Sequence, residues 1–454
     1  MSRTCSPRQL LFCFIGIFCL FMIFMTGALL RYRLQVLDSR SFSEARRPLQ
    51  DNLPRPQGSV IPMAPEILRE PTIDRPRLTA PGSNYGLSPT ECRARFAGLF
   101  DEIDRSVALR KDLGNVSSAD IDLSWIPYGA MRVMIYNHKL YIIEAKLDGK
   151  GHYPRLLAIL HQLNRAITSS PSRLPSIEFS FVVNDIADES HNHRTIWAFS
   201  RHVSLDDEMW LMPDFGYWSW PLELVGEYEQ IRTEMRGSEV EWEKKVPKVL
   251  WRGAVKTNKE VRGALMGVTR GKPWADVEEV IWKGRTAVSD GSAALPIAEH
   301  CKYQFLVHTE GRSYSGRGKY LLNCASVVIT HKAEWIEPHS HLFIPSGPHQ
   351  NVVEVEHDFS DLEAKVQDLL QNPERAKAIV NNSIATFRDR HITPAAEACY
   401  WRQLFLSWAD VSFRPEPWEV DENGRKRIRG VPFETFVIEA LDRCSWGKWL
   451  TLQC

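Results

Sequence analysis

Apolar residues recur along most of the chain at the spacings of alternating helices and strands. In HYPRLLAILHQLNRAIT (residues 152–168), the leucines at positions 156, 157, 160 and 163 and Ile167 fall on one helical face. The next segment, IEFSFVVND (177–185), is rich in β-branched and aromatic residues and ends in polar ones, which predicts a buried strand and its exit loop. This alternation continues from residue 91 onward and predicts an α/β fold, with parallel sheets whose strands are connected by helices.

The second half of the chain repeats this pattern. VPKVLWRGAV (246–255) predicts a strand that ends near Arg252, and further strands are predicted at 300–308, at 326–330 and in LFIPSG (342–347). Helices are predicted to begin at Gly318, at the capping box of residues 360–363, and at Pro373, the last of them ending near Arg390. The aromatic segment 210–221 predicts an ordered loop, and the charged segment 222–245 predicts a helix.

The N-terminal segments have a different composition. Residues 10–30 form an uncharged apolar run of about the length of a membrane-spanning helix, and no small-x-small cleavage site follows them. We therefore expect a retained anchor rather than a cleaved signal peptide. Residues 31–90 are rich in Pro and Arg without periodicity, which predicts a disordered stem. This layout, with a cytoplasmic tail at 1–9, is typical of a single-pass type II protein whose body faces the lumen of the secretory pathway.

Charge and cysteine content narrow the function class. The 454 residues include 56 basic and 56 acidic side chains, a balance that argues against a generic nucleic-acid binder. The six cysteines of the body are compatible with one to three disulfides, although Cys324 in its apolar segment equally fits a buried free thiol. No C-x-x-C pair occurs, so structural zinc is not expected. Asn115 and Asn381 each begin a glycosylation triplet.

Three predicted strand ends carry residues suited to chemistry. Asp185 follows FSFVVN, Arg252 follows KVLW, and the glycine-rich loop 311–318 precedes a helix. In open α/β sheets, ligands bind beyond the carboxyl ends of the strands. Arg312 and Arg317, beside a helix N-terminus, could neutralise a diphosphate. The plain alternatives are a solvated turn for the loop and a turn or helix cap for Asp185.

Several motifs together resemble one family. VLWRGAVKT, HCKYQFLVHTEGRSYSGRGKYLLNCASVVI, AEW and LFIPSG, in this order and spacing, resemble the glycosyltransferases of family 90. These are the capsule-associated-protein type, related to the animal protein O-glucosyltransferases. The resemblance covers residues 175–401, which is most of the body.

The resemblance implies a GT-B architecture, in which two Rossmann-like domains face a cleft. The acceptor-side domain would comprise residues 91–240 and the donor-binding domain residues 241–400, followed by a helical tail at 401–454. The implied reaction is inverting transfer from a UDP-sugar, without a metal or other cofactor. Neither the donor, UDP-xylose or UDP-glucose, nor the acceptor, a glycan, glycolipid or protein hydroxyl, follows from these motifs.

The resemblance also assigns residues. Asp185 matches the general base, and Phe215 and Trp218 match an aromatic loop on the acceptor side. Arg317 is expected to bind the diphosphate, and Glu334 matches an acidic position suited to the ribose hydroxyls. The implied donor-binding set is Arg252, Gly253, Arg312, Ser313, Ser315, Gly316, Arg317, Lys319 and Glu334.

Two departures from the family pattern leave alternatives open. The animal relatives carry Arg-Asp-Tyr-Pro around the base, whereas this chain has Asn-Asp-Ile-Ala-Asp at 184–188, which makes Asp188 a rival base. Val255 replaces the second arginine of the family's Arg-Gly-Ser-Arg pattern. A catalytically inactive sugar- or nucleotide-binding protein of the same fold is therefore the alternative function. A hydrolase is disfavoured because no metal or nucleophile motif is recognisable.

Overall fold

The computed structural model describes residues 81–147, 151–187, 195–205, 207–220, 225–283, 286–287 and 294–443. The predicted tail and anchor, most of the stem, and Asp188 lie outside these ranges. Within them, no helix combines the length and apolar character needed to cross a bilayer.

Ten α-helices lie in the described ranges: α1 (Pro89–Arg95), α2 (Asp101–Leu113), α3 (His152–Thr168), α4 (Tyr228–Ser238), α5 (Lys259–Thr269), α6 (Gly318–Leu321), α7 (Leu362–Gln371), α8 (Pro373–Ser383), α9 (Pro394–Val411) and α10 (Phe433–Arg443). The strands are β1 (Ala130–Tyr136), β2 (Lys139–Lys146), β3 (Ile177–Val182), β4 (Trp197–Ala198), β5 (Arg201–His202), β6 (Trp210–Leu211), β7 (Ser219–Trp220), β8 (Gly226–Glu227), β9 (Val246–Gly253), β10 (Ala275–Glu279), β11 (Trp282–Lys283), β12 (Thr286–Ala287), β13 (Tyr303–His308), β14 (Val327–His331), β15 (Trp335–Ile336), β16 (Val353–Val355), β17 (Trp418–Val420), β18 (Lys426–Ile428) and β19 (Val431–Pro432).

The ordered body begins before residue 91. Leu87 is buried, and Arg402 in α9 donates hydrogen bonds to the carbonyls of Tyr85 and Leu87. The predicted stem is therefore wrong for its last residues, since these backbone carbonyls bind a buried guanidinium.

The first sheet has six strands in the order β19-β2-β1-β3-β4-β6. It is mixed, because β1 pairs antiparallel with both β2 and β3, and only the β3–β4 and β4–β6 pairs are parallel. Asn137 and His138 connect β1 to β2 with φ values of 48° and 58°, the conformation of a type I′ hairpin turn. The expectation of purely parallel sheets fails here because this tight hairpin replaces a helical crossover.

The second sheet has five strands, all parallel, in the order β10-β9-β13-β14-β16. It confirms the strands predicted around Arg252, at 300–308 and at 326–330. The strand predicted in LFIPSG is wrong: Phe343 packs against the rings of Phe387 and His339 outside the sheet, and β16 takes the edge position.

Helix starts in this half are partly as predicted. Pro373 begins α8, whose path continues as a π-helix at Ile384–His391, close to the predicted end. The predicted capping box before α7 is absent, because the Glu363 carboxylate accepts hydrogen bonds from Lys272 Nζ (2.7 Å) and Trp274 Nε1 (2.9 Å) instead.

Helix α9 returns the chain to the first sheet. Trp408 Nε1 donates to the Glu178 carbonyl of β3 (2.9 Å), and Trp401 Nε1 donates to Gln162 Oε1 of α3 (3.1 Å). A disulfide between Cys92 and Cys399 joins α1 to α9. The helix runs through residue 400, the predicted end of the donor-binding domain.

A second disulfide joins Cys301, just before β13, to Cys324, just before β14. The alternative of a buried free thiol at Cys324 is therefore wrong. This bond closes the base of the segment that carries the glycine-rich loop.

Candidate active site

A cleft of about 320 Å³ lies beyond the carboxyl ends of strands from both sheets. Asp185 reaches it from the exit of β3, and Arg252 and Gly253 reach it from the end of β9. The glycine-rich loop after β13 also contributes polar residues to its wall. Of the residues predicted for the site, the structure brings together in this lining Asp185, Phe215, Arg252, Gly253, Arg312, Ser315, Gly316 and Arg317.

The glycine-rich loop is held in a defined shape. Asn258 Nδ2 donates to the Gly311 carbonyl (3.0 Å), and Ser313 Oγ donates to the Asp185 carbonyl, which ties the loop to the first sheet. A Cβ at Gly316 would lie 2.6 Å from the Trp220 ring, so only glycine fits there. Helix α6 behind the loop has four residues, too few to build a substantial dipole. The positive charge of this wall therefore comes from side chains rather than from a helix end.

Arg262 and Arg317 in the cleft have no carboxylate partner among the described residues. Arg262 is buried and donates to the carbonyls of Glu310 (2.9 Å) and Ala254 (2.8 Å). Arg317 donates to the Arg252 carbonyl, and its Nε is buried without a hydrogen bond. Burial lowers the pKa of Arg262 to about 10, and burial together with Arg262 lowers that of Arg317 to about 9. Both cations would be stabilised by a bound anion.

Arg252 differs from these two because its charge is already paired. Its Nη2 lies 2.6 Å from Asp276 Oδ1, and its Nη1 donates to the Asp276 carbonyl (2.7 Å). Burial alone would raise the pKa of Asp276, but hydrogen bonds from Tyr303 and Arg252 lower it. Only the buried Nε of Arg252 lacks a hydrogen bond. Arg252 therefore has less capacity for a diphosphate than Arg262 or Arg317.

The Asp185 carboxylate is accessible from the cleft and is held in place by Arg155. Its side chain is 43% exposed, and its Oδ1 accepts a hydrogen bond from Arg155 Nη1 (2.8 Å). Arg155 also donates to the Val183 carbonyl (3.0 Å) and lies 4.7 Å over the Phe215 ring. This geometry leaves the second carboxylate oxygen of Asp185 available to a substrate hydroxyl.

Comparison with known proteins identifies the family. The model of glycosyl transferase family 90 matches residues 112–422, more than half of the chain. The chain belongs to glycosyltransferase family 90. It is 26% identical over 303 residues to the O-glucosyltransferase rumi homolog of Anopheles gambiae, covering 61% of this chain and 70% of that protein. It is also 26% identical over 262 residues to protein O-glucosyltransferase 1 of Rattus norvegicus, covering 52% of this chain and 63% of that protein.

Human protein O-glucosyltransferase 1 is 24% identical over 262 residues, with the same two coverages. The match thus spans less than two thirds of the rat and human proteins. Family membership supports glycosyl transfer as the general activity of this family 90 chain.

Some residues carried over from the family lie elsewhere. Lys319 is buried in an ion pair with Asp214 (2.7 Å) and does not line the cleft, so its predicted contact with the donor is not supported. The Glu334 side chain is 56% exposed, lies 3.8 Å from His357 and is also outside the lining. Trp218 stacks on His161, with ring centroids 4.9 Å apart, and does not line the cleft. Trp220 occupies the position in the cleft that was predicted for Trp218.

Other residues of the cleft were missed from the sequence. Arg155 and Arg262 lie in helices, where the spacing of apolar residues predicts that both are solvent-exposed. No local feature of the sequence marks either one as part of a site. His300 also lines the cleft; burial, followed by Arg317 and Arg252, lowers its pKa to about 3. It is therefore neutral near neutral pH and can hydrogen-bond without adding charge. Within the described residues, no group of three or more His, Cys, Asp or Glu side chains is arranged to hold a metal ion.

Proposed function

We propose that this protein transfers a sugar, xylose or glucose, from a UDP-sugar to an acceptor hydroxyl, with inversion and without a metal ion. The observation that carries the proposal is the composition of one cleft. Arg262 and Arg317 have no acidic partner among the described residues, and they face the same space as the accessible carboxylate of Asp185. An anion site beside a base suits a donor diphosphate next to an acceptor hydroxyl.

In this mechanism Asp185 is the general base. It removes the proton of the acceptor hydroxyl as that oxygen bonds to the anomeric carbon of the donor sugar. The bond from that carbon to the diphosphate oxygen breaks, and UDP leaves with the electron pair. Because attack and departure occur on opposite faces in a single displacement, the configuration inverts.

The cations act on the leaving group. Negative charge develops on the diphosphate in the transition state, and fixed guanidinium groups stabilise it with little reorganisation. Arginine suits this role because its planar fork matches phosphate oxygens. Phe215 and Trp220, with ring centroids 4.9 Å apart, offer the sugar an apolar wall.

We also propose the GT-B arrangement, with the first sheet in the acceptor-side domain and the all-parallel second sheet in the donor-binding domain. The proposed location is the Golgi or ER lumen, behind a membrane anchor at residues 10–30. The disulfides Cys92–Cys399 and Cys301–Cys324 support an oxidising compartment.

A screen of UDP-sugars against the purified luminal body tests the function. We expect UDP, and UDP-xylose or UDP-glucose, to raise the melting temperature in the presence of excess chelator. With an acceptor extract, one of these donors should release UDP. Stabilisation by UDP without turnover of any donor would favour the inactive binding protein, and strict dependence on manganese would contradict the metal-free mechanism.

A further inference from the structure

A second cavity, of about 260 Å³, adjoins the cleft at Asp185. Arg155, Asp185 and Arg312 line both spaces. The remaining lining residues come from the segments before β1 and after β3 and from the start of α3: Tyr128, Gly151, His152, Asn184 and Ile186. The carboxylate of Asp185 therefore stands where the two cavities meet.

We propose that this second cavity is the acceptor subsite and that it takes a pyranose ring of a glycan. The inference rests on the proposed function, because Asp185 must receive the proton of a hydroxyl that arrives from this side. A donor held by Arg262 and Arg317 occupies the opposite side. The shared carboxylate then contacts the nucleophilic oxygen.

An aromatic pair supports a sugar ring as occupant. The Tyr128 ring is 44% exposed and stacks on His152, with ring centroids 5.2 Å apart and 29° between the planes. One face of a pyranose presents C–H groups, which pack against aromatic rings, while its hydroxyls point outward to polar partners. Tyr128 gives such a face a rigid surface at the edge of the cavity.

Asn184 supplies a polar partner. Its Nδ2 lies 3.5 Å from the Tyr128 carbonyl, a long hydrogen bond at an exposed position, and it can also donate to the oxygen of a sugar hydroxyl. Its Oδ1 packs against Gly129, where a Cβ would lie 2.1 Å from it, and this contact fixes the side chain in the wall of the cavity.

These contacts favour a glycan over a polypeptide hydroxyl. A ring can place one hydroxyl at Asp185 while it stacks on Tyr128 and accepts a hydrogen bond from Asn184 Nδ2. A serine or threonine side chain carries a single hydroxyl close to its backbone and cannot meet all three groups. Transfer to a protein is therefore the competing outcome.

The test compares wild type, Tyr128→Ala and Tyr128→Phe with a panel of p-nitrophenyl pyranosides and short oligosaccharides. Serine-containing peptides serve as the alternative acceptors, and donor hydrolysis without acceptor reports on the donor half of the site. Trp418→Ala is the matched control, because Trp418 is 38% exposed and is not among the residues lining either cavity.

We expect at least one glycan acceptor to be used. Tyr128→Ala should raise its KM by about tenfold, with donor KM and donor hydrolysis unchanged, and Tyr128→Phe should restore wild-type values. Transfer to peptides but to no glycan overturns the inference, as does a glycan KM that Tyr128→Ala leaves unaltered. Absence of turnover of every UDP-sugar instead contradicts the proposed function on which it rests.

Discussion

At the residue scale, the cleft is defined by cations that lack acidic partners. A buried guanidinium loses hydration that a carboxylate or phosphate normally replaces. Arg252 has that compensation from Asp276. Arg262 and Arg317 instead donate to carbonyl oxygens and, in the case of Arg262, to the Thr257 hydroxyl. This difference changes which arginines we expect to bind the donor. Arg262 and Arg317, rather than Arg252, should contribute most to the binding of a diphosphate.

Arg317→Ala and Arg262→Ala should each weaken UDP binding by roughly tenfold or more. A hydrogen bond to a charged group contributes about 1.5–3 kcal/mol, and about 1.4 kcal/mol corresponds to a factor of ten. Calorimetric titration with UDP measures the effect. Arg236→Ala is the control, since Arg236 is an exposed partner of Asp389 (3.2 Å). Unchanged UDP affinity in both cleft variants would show that the diphosphate binds elsewhere.

Among the helices and strands, those whose position is determined by local hydrophobic periodicity could be predicted from the sequence. Strands β3, β9, β13 and β14 are rich in β-branched, aromatic and other apolar residues, and each was predictable with its polar exit. Arg262 was not predictable, because it lies between the buried Val261 and Leu265 in α5 and becomes buried only where the carbonyls of Ala254 and Glu310 approach it. The strand predicted in LFIPSG is wrong because tertiary contacts again override the local pattern. Phe343 packs on Phe387 outside the sheet, and this contact determines the conformation of the segment.

A buried carboxyl group lies just after β15. Glu337 Oε2 is 4.0 Å from His308 Nε2, and burial, followed by the nearby Asp214, raises the pKa of Glu337 to about 8. Since the folded state then holds its proton more tightly than the unfolded state, stability falls as pH rises from about 4.5 to about 8. For one proton the slope is at most about 1.4 kcal/mol per pH unit.

Glu337→Gln should therefore flatten the dependence of the unfolding free energy on pH between 5 and 8. Denaturant titrations at four pH values measure it. Part of the slope should remain, because burial also raises the pKa of Glu310 to about 7. Glu234→Gln, at an exposed position where the carboxylate accepts a hydrogen bond from the neutral Gln230 amide (2.7 Å), should leave the profile unchanged. Identical slopes for wild type and Glu337→Gln would show that Glu337 does not cause the pH dependence.

At the scale of the whole molecule, the chain returns to its start. In the sequence after the second sheet, helix α9 packs on the first sheet and strand β19 pairs at its edge. The Cys92–Cys399 disulfide links α9 covalently to α1. Residues near 90 and near 400 therefore belong to one structural unit. This closure depends on contacts between positions far apart in sequence, which no local pattern reports.

The proposed topology predicts an uncleaved N-terminus. A protein tagged at both ends should keep both tags, remain in the membrane fraction after carbonate extraction, and have a C-terminal tag protected from protease in sealed microsomes. The physical reason is that residues 10–30 are apolar over about the thickness of a bilayer. A secreted mature form that begins after residue 28 would contradict the anchor.

The central claim is that Asp185 removes the acceptor's proton in a cleft that binds UDP. The most direct test measures UDP affinity and the rate of sugar transfer together for wild type, Asp185→Asn and Asp188→Asn. Asparagine preserves the size of the side chain but cannot accept the proton. We expect nearly unchanged UDP affinity for Asp185→Asn and transfer lowered by about 10²–10⁴-fold, the usual effect of losing a positioned base. An inactive Asp188→Asn variant beside an Asp185→Asn variant that transfers sugar at the wild-type rate would contradict this claim.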